Sequence, residues 1–162
     1  MKNVRILNLL LIVIIFLISG TAFSQSSFSE GLAKGKSDNK PILLEIYSSG
    51  DSWSSKMDAV FSNEKIKGLT SNFIWVKLDA TSKESYNYNG KTYSSRELSK
   101  YFGATGFPAF AFLNSDGSVI TFKYNGQDCN SFSGYLDAGD FEKLLTFFIN
   151  QSYRNSDLSK VL

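Results

Sequence analysis

Short, almost wholly apolar runs constrain this chain more than any other feature. Pro41-Ile-Leu-Leu-Glu-Ile-Tyr47 and Asn72 to Leu78, with Phe73, Ile74, Trp75 and Val76, lack the alternation of a half-solvated strand. Each therefore reads as a strand buried on both faces. Between them Met57, Val60, Phe61 and Ile66 recur at three- and four-residue spacing, which predicts a helix from about Ser54 to Leu69. Ala109 to Leu113 is a further apolar strand.

The flanking segments follow from local chemistry. Ser27-Phe28-Ser29-Glu30 has the capping-box pattern and predicts a helix over 28–34, ended by Gly35 and Ser37-Asp38-Asn39. The polar middle contains Asn89-Gly90, a pair suited to positive φ at both positions, which predicts a small hairpin near 86–93. Ser94-x-x-Glu97 is a second capping box, with a helix running to about Phe102. After Ala109–Leu113, Asn114 to Gly117 reads as a turn, Ser118 to Tyr124 as a returning strand, and Asn125 to Gly134 as a loop. A last helix is expected near 138–150, with a loose tail over 152–162.

The N-terminus has a basic start, an apolar run from Ile6 to Ile18, and small residues at Ala22 and Ser24. This is the pattern of a secretory signal, with cleavage expected after Ser24; the other reading is a retained membrane anchor. The expected organisation is thus a signal over 1–24, one domain over 25–151 and the tail, in a periplasmic or secreted protein. Lys2 and Arg5 account for the whole excess of 17 basic over 15 acidic side chains, so residues 25–162 are neutral. A neutral chain offers no basic face for nucleic acid, and none is expected as a partner. After signal removal no membrane partner is expected either.

The inventory excludes much chemistry. With no His, imidazole-based nucleophile pairs and imidazole metal sites are absent. A single cysteine, Cys129, cannot form an internal disulfide, a Cys-x-x-Cys pair or a zinc or iron–sulfur site. No metal or cofactor is expected.

One helix, a β-α-β unit, a crossover helix, a hairpin and a closing helix together resemble the thioredoxin fold. Lys40-Pro41 precedes a buried strand that ends at a polar loop opening a helix. Asp51-Ser-Trp-Ser-Ser-Lys-Met57-Asp58, followed by Val60-Phe61-Ser62, is similar to a family segment written C-x-W-C-x-K-M-D…F-S. Phe73 to Asp79 resembles the second buried strand with its terminal Asp, and Gly106-Phe107-Pro108 followed by Asp116-Gly117 resembles the cis-proline loop and hairpin. The Tyr88–Tyr93 insert, the Ser94–Tyr101 helix and Gly134-Tyr-Leu136 resemble, more narrowly, periplasmic thioredoxins of the SoxW kind. The implied fold class is α/β: a three-layer α/β/α thioredoxin fold with a mixed central sheet and a small hairpin insert near 86–93.

The resemblance places either Asp51 and Ser54, or one residue later Ser52 and Ser55, where the family carries its two cysteines. Trp53 and Met57 favour the first register, and Phe61 the second. Neither retains a thiol, and a serine hydroxyl cannot attack a disulfide. The reading that follows is a binding module for a protein or an extended peptide. Asp51, Ser52, Trp53, Ser54 and Ser55 would supply one side of its surface, and Phe107 and Pro108 a backbone edge for strand addition. The alternative is thiol–disulfide exchange through Cys129 or a mixed disulfide, with Cys129 in a loop expected to border this site.

Overall fold

A computed structural model describes residues 27–162; the expected signal segment lies outside the described residues. Strand β1 (Ile42–Tyr47) is the centre of the molecule. It pairs parallel with β2 (Ile74–Asp79) and antiparallel with β5 (Ala109–Leu113), whose other edge takes β8 (Ser131–Ser133). The sheet order is β2-β1-β5-β8. Both faces are covered, which is why β1 and β5 carry no solvated face.

One face packs against α2 (Ser52–Phe61), α3 (Glu64–Thr70) and α5 (Ala138–Ile149), through Leu43, Phe110, Phe112, Met57, Phe61, Phe141 and Phe148. The other carries α1 (Phe28–Asp38) and α4 (Ser95–Tyr101), together with the hairpin of β3 (Ser85–Tyr88) and β4 (Lys91–Ser94). The hairpin is the expected insert, with Asn89 and Gly90 both at positive φ (50° and 76°). The layers are therefore helix, mixed sheet, helix. Glu97 accepts from the Ser94 amide at 2.9 Å, and the Glu97 amide donates to the Ser94 hydroxyl at 3.3 Å, completing the second capping box.

Four local expectations differ from the structure. Helix α1 runs past Gly35 to Asp38 and ends at Asn39, which adopts the left-handed conformation. Gly31 and Gly35 are packing residues: a Cβ at Gly31 would stand 2.1 Å from Val76 Cγ2, and one at Gly35 2.8 Å from Ile42 Cδ1. The expected 54–69 helix is two helices, and it starts at Ser52. Asn63 divides them by accepting from the amides of Lys65 and Ile66, capping α3 while the apolar stripe continues on the same buried side.

The returning strand over 118–124 is the third difference. Only a bridge at Val119 and a bond from the Ile120 amide to the Phe112 carbonyl join it to β5. The chain then turns away as β6 (Phe122–Tyr124), which pairs with β7 (Gln127–Cys129), and β8 takes the vacated edge. Asn125 and Gly126, again both at positive φ, make that hairpin inside the expected loop. Finally, the tail expected to be loose forms two 3-10 turns, Ser152–Arg154 and Leu158–Lys160, and buries Leu158 completely.

Candidate functional site

The loop between β1 and α2 is set by Asp51, the N-cap of α2. Its carboxylate accepts from the Ser54 amide at 2.6 Å, and its own amide donates to the Ser48 carbonyl at 3.0 Å. Upstream, the Ser49 hydroxyl and the hydroxyl and amide of Thr81 bond the Asp79 carboxylate, tying this loop to the end of β2. Burial works against ionisation of Asp79, but these bonds outweigh it and hold its carboxyl below the ordinary value.

The two pairs of positions differ in exposure. Ser54 is buried, whereas Ser52 and Ser55 are both exposed. Asp51 is the cap of α2, and Ser54, three residues on, is turned inward. The Ser54 hydroxyl is enclosed and makes no hydrogen bond to the protein.

Trp53 is 49% exposed although it is one of the largest apolar side chains in the chain. Its ring meets that of Tyr135, also exposed, at 5.4 Å between centroids, and Lys56 Nζ lies 3.9 Å over it. The peptide bond between Phe107 and Pro108 is cis. Pro108 is buried, Phe107 is half-buried, and the Pro108 carbonyl accepts from the Gly134 amide at 2.8 Å. Gly134-Tyr135 thus runs from the proline edge to the indole and joins the two expected halves of the site. Tyr135 and Lys56 were not legible as site residues, because their place depends on tertiary packing.

Beside Phe107, a cavity of about 200 Å³ is lined by Arg96 and Lys100. Neither cation makes an ion pair among the described residues.

Under α2 lies Glu45, the lone acid of β1, fully buried. One carboxylate oxygen accepts from Trp75 Nε1 at 3.1 Å. The other is 3.6 Å from Lys77 Nζ, inside ion-pair range but too long for a hydrogen bond. Lys77 also faces Asp58 of α2 at 3.3 Å. Burial pushes the Glu45 carboxyl up to about 7, with Lys77 opposing and Asp58 adding to the rise. Glu45 was not singled out in the sequence; an acid alone inside an apolar strand is the signal that would have found it.

Cys129 does not join these residues. It sits on β7 opposite Phe122 and lines a cavity of about 580 Å³ with Gly103, Thr105 and Ser131, to which neither 51–55 nor 107–108 contributes. Burial, then the charges of Asp128 and Asp157, push its thiol up, away from the thiolate form that exchange requires. Among the described residues, no group of three or more His, Cys, Asp or Glu side chains could hold a metal ion, and no helix is long and apolar enough to cross a membrane.

A buried parallel–antiparallel sheet, a helix opening at its carboxyl end and a cis-proline beside that helix define a thioredoxin-fold protein. A family profile described as a thioredoxin-like domain matches residues 28–149, and the chain belongs to that thioredoxin-like family. Among solved structures it is similar to a thioredoxin-fold protein from Helicobacter pylori (TM-score 0.61, 17% identity, covering 76% of this chain and 80% of that one). It is also similar to a thioredoxin from Thermus thermophilus (TM-score 0.54, 17% identity, covering 78% and 88%). The DsbH oxidoreductase matches with a TM-score of 0.50 and 18% identity, covering 86% of this chain and 85% of that one. At these identities the likeness is one of fold. No curated protein matches.

Proposed function

We propose that this chain is an exported thioredoxin-fold protein, of the SoxW-like periplasmic kind, that works without a redox dithiol as a module binding a protein or an extended peptide. The observation that carries the reading is Trp53: an indole half-exposed at the start of α2, held by Tyr135, whose neighbour Gly134 bonds the cis-proline carbonyl. Large aromatic side chains left half in water beside an open backbone edge are the kind of group that anchors a partner. The half-buried Phe107 and the backbone beside Pro108 supply the edge along which an extended segment adds as a strand. Arg96 and Lys100 next to that edge favour a segment carrying an acidic side chain. Export rests on the basic-apolar-small pattern of residues 1–24.

Thiol–disulfide exchange through Cys129 is the weaker reading. Its thiol lies in a separate cavity, and burial and two acids push it up, away from the thiolate form.

The test is binding to a panel of short extended peptides, with and without an acidic residue, read by fluorescence polarisation. Trp53→Ala is expected to weaken capture by about 2 kcal/mol or more, roughly thirtyfold, which is the scale of an interface hot spot. Because Trp53 is half-exposed, its urea midpoint should remain that of the parent. Equal binding by Trp53→Ala and the parent would remove the indole from the site.

A further inference from the structure

We propose that the cavity at the end of the sheet opposite Trp53 binds a neutral saccharide unit. This goes beyond the peptide-binding reading and shares no residue with it. The cavity holds about 520 Å³, within the range of small-ligand sites, and opens where β1 begins and β5 ends. Its walls carry four carboxamides, Asn39, Asn72, Asn114 and Gln151, and its single charge is Arg154.

Three of the amides are fixed by one end only. Asn39 Oδ1 accepts from the Ser115 hydroxyl at 3.0 Å, Asn72 Nδ2 donates to the Leu69 carbonyl at 2.9 Å, and Asn114 Nδ2 donates to the Ser118 hydroxyl at 2.9 Å. Their other ends, one donor and two acceptors, have no hydrogen-bond partner among the described residues. Side chains oriented in advance by one bond and free at the other recognise a ligand at small entropic cost. An array that both donates and accepts matches hydroxyl groups, which do both.

The electrostatics select a neutral ligand. Asn39 is the C-cap of α1, Asn72 follows the C-cap of α3, and Gln151 follows that of α5. Three helix C-terminal ends therefore adjoin the cavity, and the positive charge of Arg154 opposes the partial negative charge such ends carry. Arg154 makes no ion pair among the described residues; its guanidinium lies 5.9 Å from the centre of the Tyr153 ring, and its N–H groups are suited to hydroxyl oxygens. Half-buried Tyr153, stacked on Phe148 at 5.5 Å and 26° and flanked by that guanidinium, adds aromatic surface to the cavity wall, the kind of surface the C–H face of a pyranose packs against. Asn39 and Gln151 both hold positive φ (49° and 54°), conformations uncommon outside glycine, in turns that bring their side chains to this cavity.

The experiment is a titration of the 15N-labelled protein with glucose, galactose and N-acetylglucosamine, following the side-chain amide resonances. At least one sugar should give saturable shifts at Asn39, Asn72, Asn114 and Gln151, with a Kd of about 1 mM, as expected for so small a ligand. Arg154→Ala and Asn114→Ala change exposed groups and should each weaken binding about tenfold or more, the scale of one lost polar contact, with the folded spectrum preserved. Absence of saturable shifts with all three sugars, shifts centred on Trp53 and Tyr135, or undiminished binding in both variants would overturn the proposal.

Discussion

Between about pH 5 and pH 8 the fold is expected to weaken by roughly 3 kcal/mol as pH rises, and Glu45 is the source. Its carboxyl titrates at about 7 in the fold against 4.5 ordinarily, because burial costs the charged form more than Lys77 returns. Within this window the native state holds a proton that the unfolded chain has released, so the slope of stability with pH is negative. The contribution is complete near pH 4.5 and gone once pH passes about 7. Asp79, Asp116 and Asp157 have lowered values, and their opposite effect falls at more acid pH, outside the window. Urea unfolding at the two pH values reads the difference directly. Glu45→Gln keeps an acceptor for Trp75 and should flatten the profile; Lys77→Met removes the opposing cation and should extend the decline to higher pH. A parent protein equally stable at both pH values would show that Glu45 is ionised and compensated in the fold.

Leu158→Ala is expected to cost about 2–5 kcal/mol, the range for emptying a fully enclosed leucine site. The side chain lies in the same apolar cluster as Phe122, Leu144 and Phe148, well beyond the last helix. Asp157 secures the segment by accepting from the Ser159 hydroxyl and from the amides of Gly126, Ser159 and Asn125, which together hold its own carboxyl down at about 2. The 3-10 turns are therefore a cover for the sheet-facing helices. Thermal unfolding should fall by roughly 10 °C in the variant, given the usual entropy of unfolding for a domain of this size. An unchanged midpoint would mean that the tail does not dock.

The strands were legible because a two-faced buried strand leaves an unbroken apolar run, as Ile42–Tyr47 and Ala109–Leu113 do. The 85–94 hairpin was legible from Asn89-Gly90, and the same dipeptide at 125–126 makes the hairpin that was read as loop. What escaped was what only contact decides. Gly35 looks the same in sequence whether it ends a helix or lets one approach a sheet, and Ile42 Cδ1 settles which. The tail's polar composition hid Leu158, whose burial depends on a groove made by distant segments. For the site, the family resemblance pointed to 51–55, Phe107 and Pro108, whereas Tyr135 and the amides around Arg154 gather only when the sheet forms.

The central claim is that this thioredoxin-like chain acts without thiol chemistry, and insulin reduction tests it most directly. With dithiothreitol as reductant, the protein and its Cys129→Ser variant should both leave the uncatalysed rate of insulin precipitation unchanged, since the one thiol stands apart from the helix start and its surroundings push it away from the thiolate form. Catalysis by the parent that disappears in Cys129→Ser would contradict the account and make Cys129 the working group.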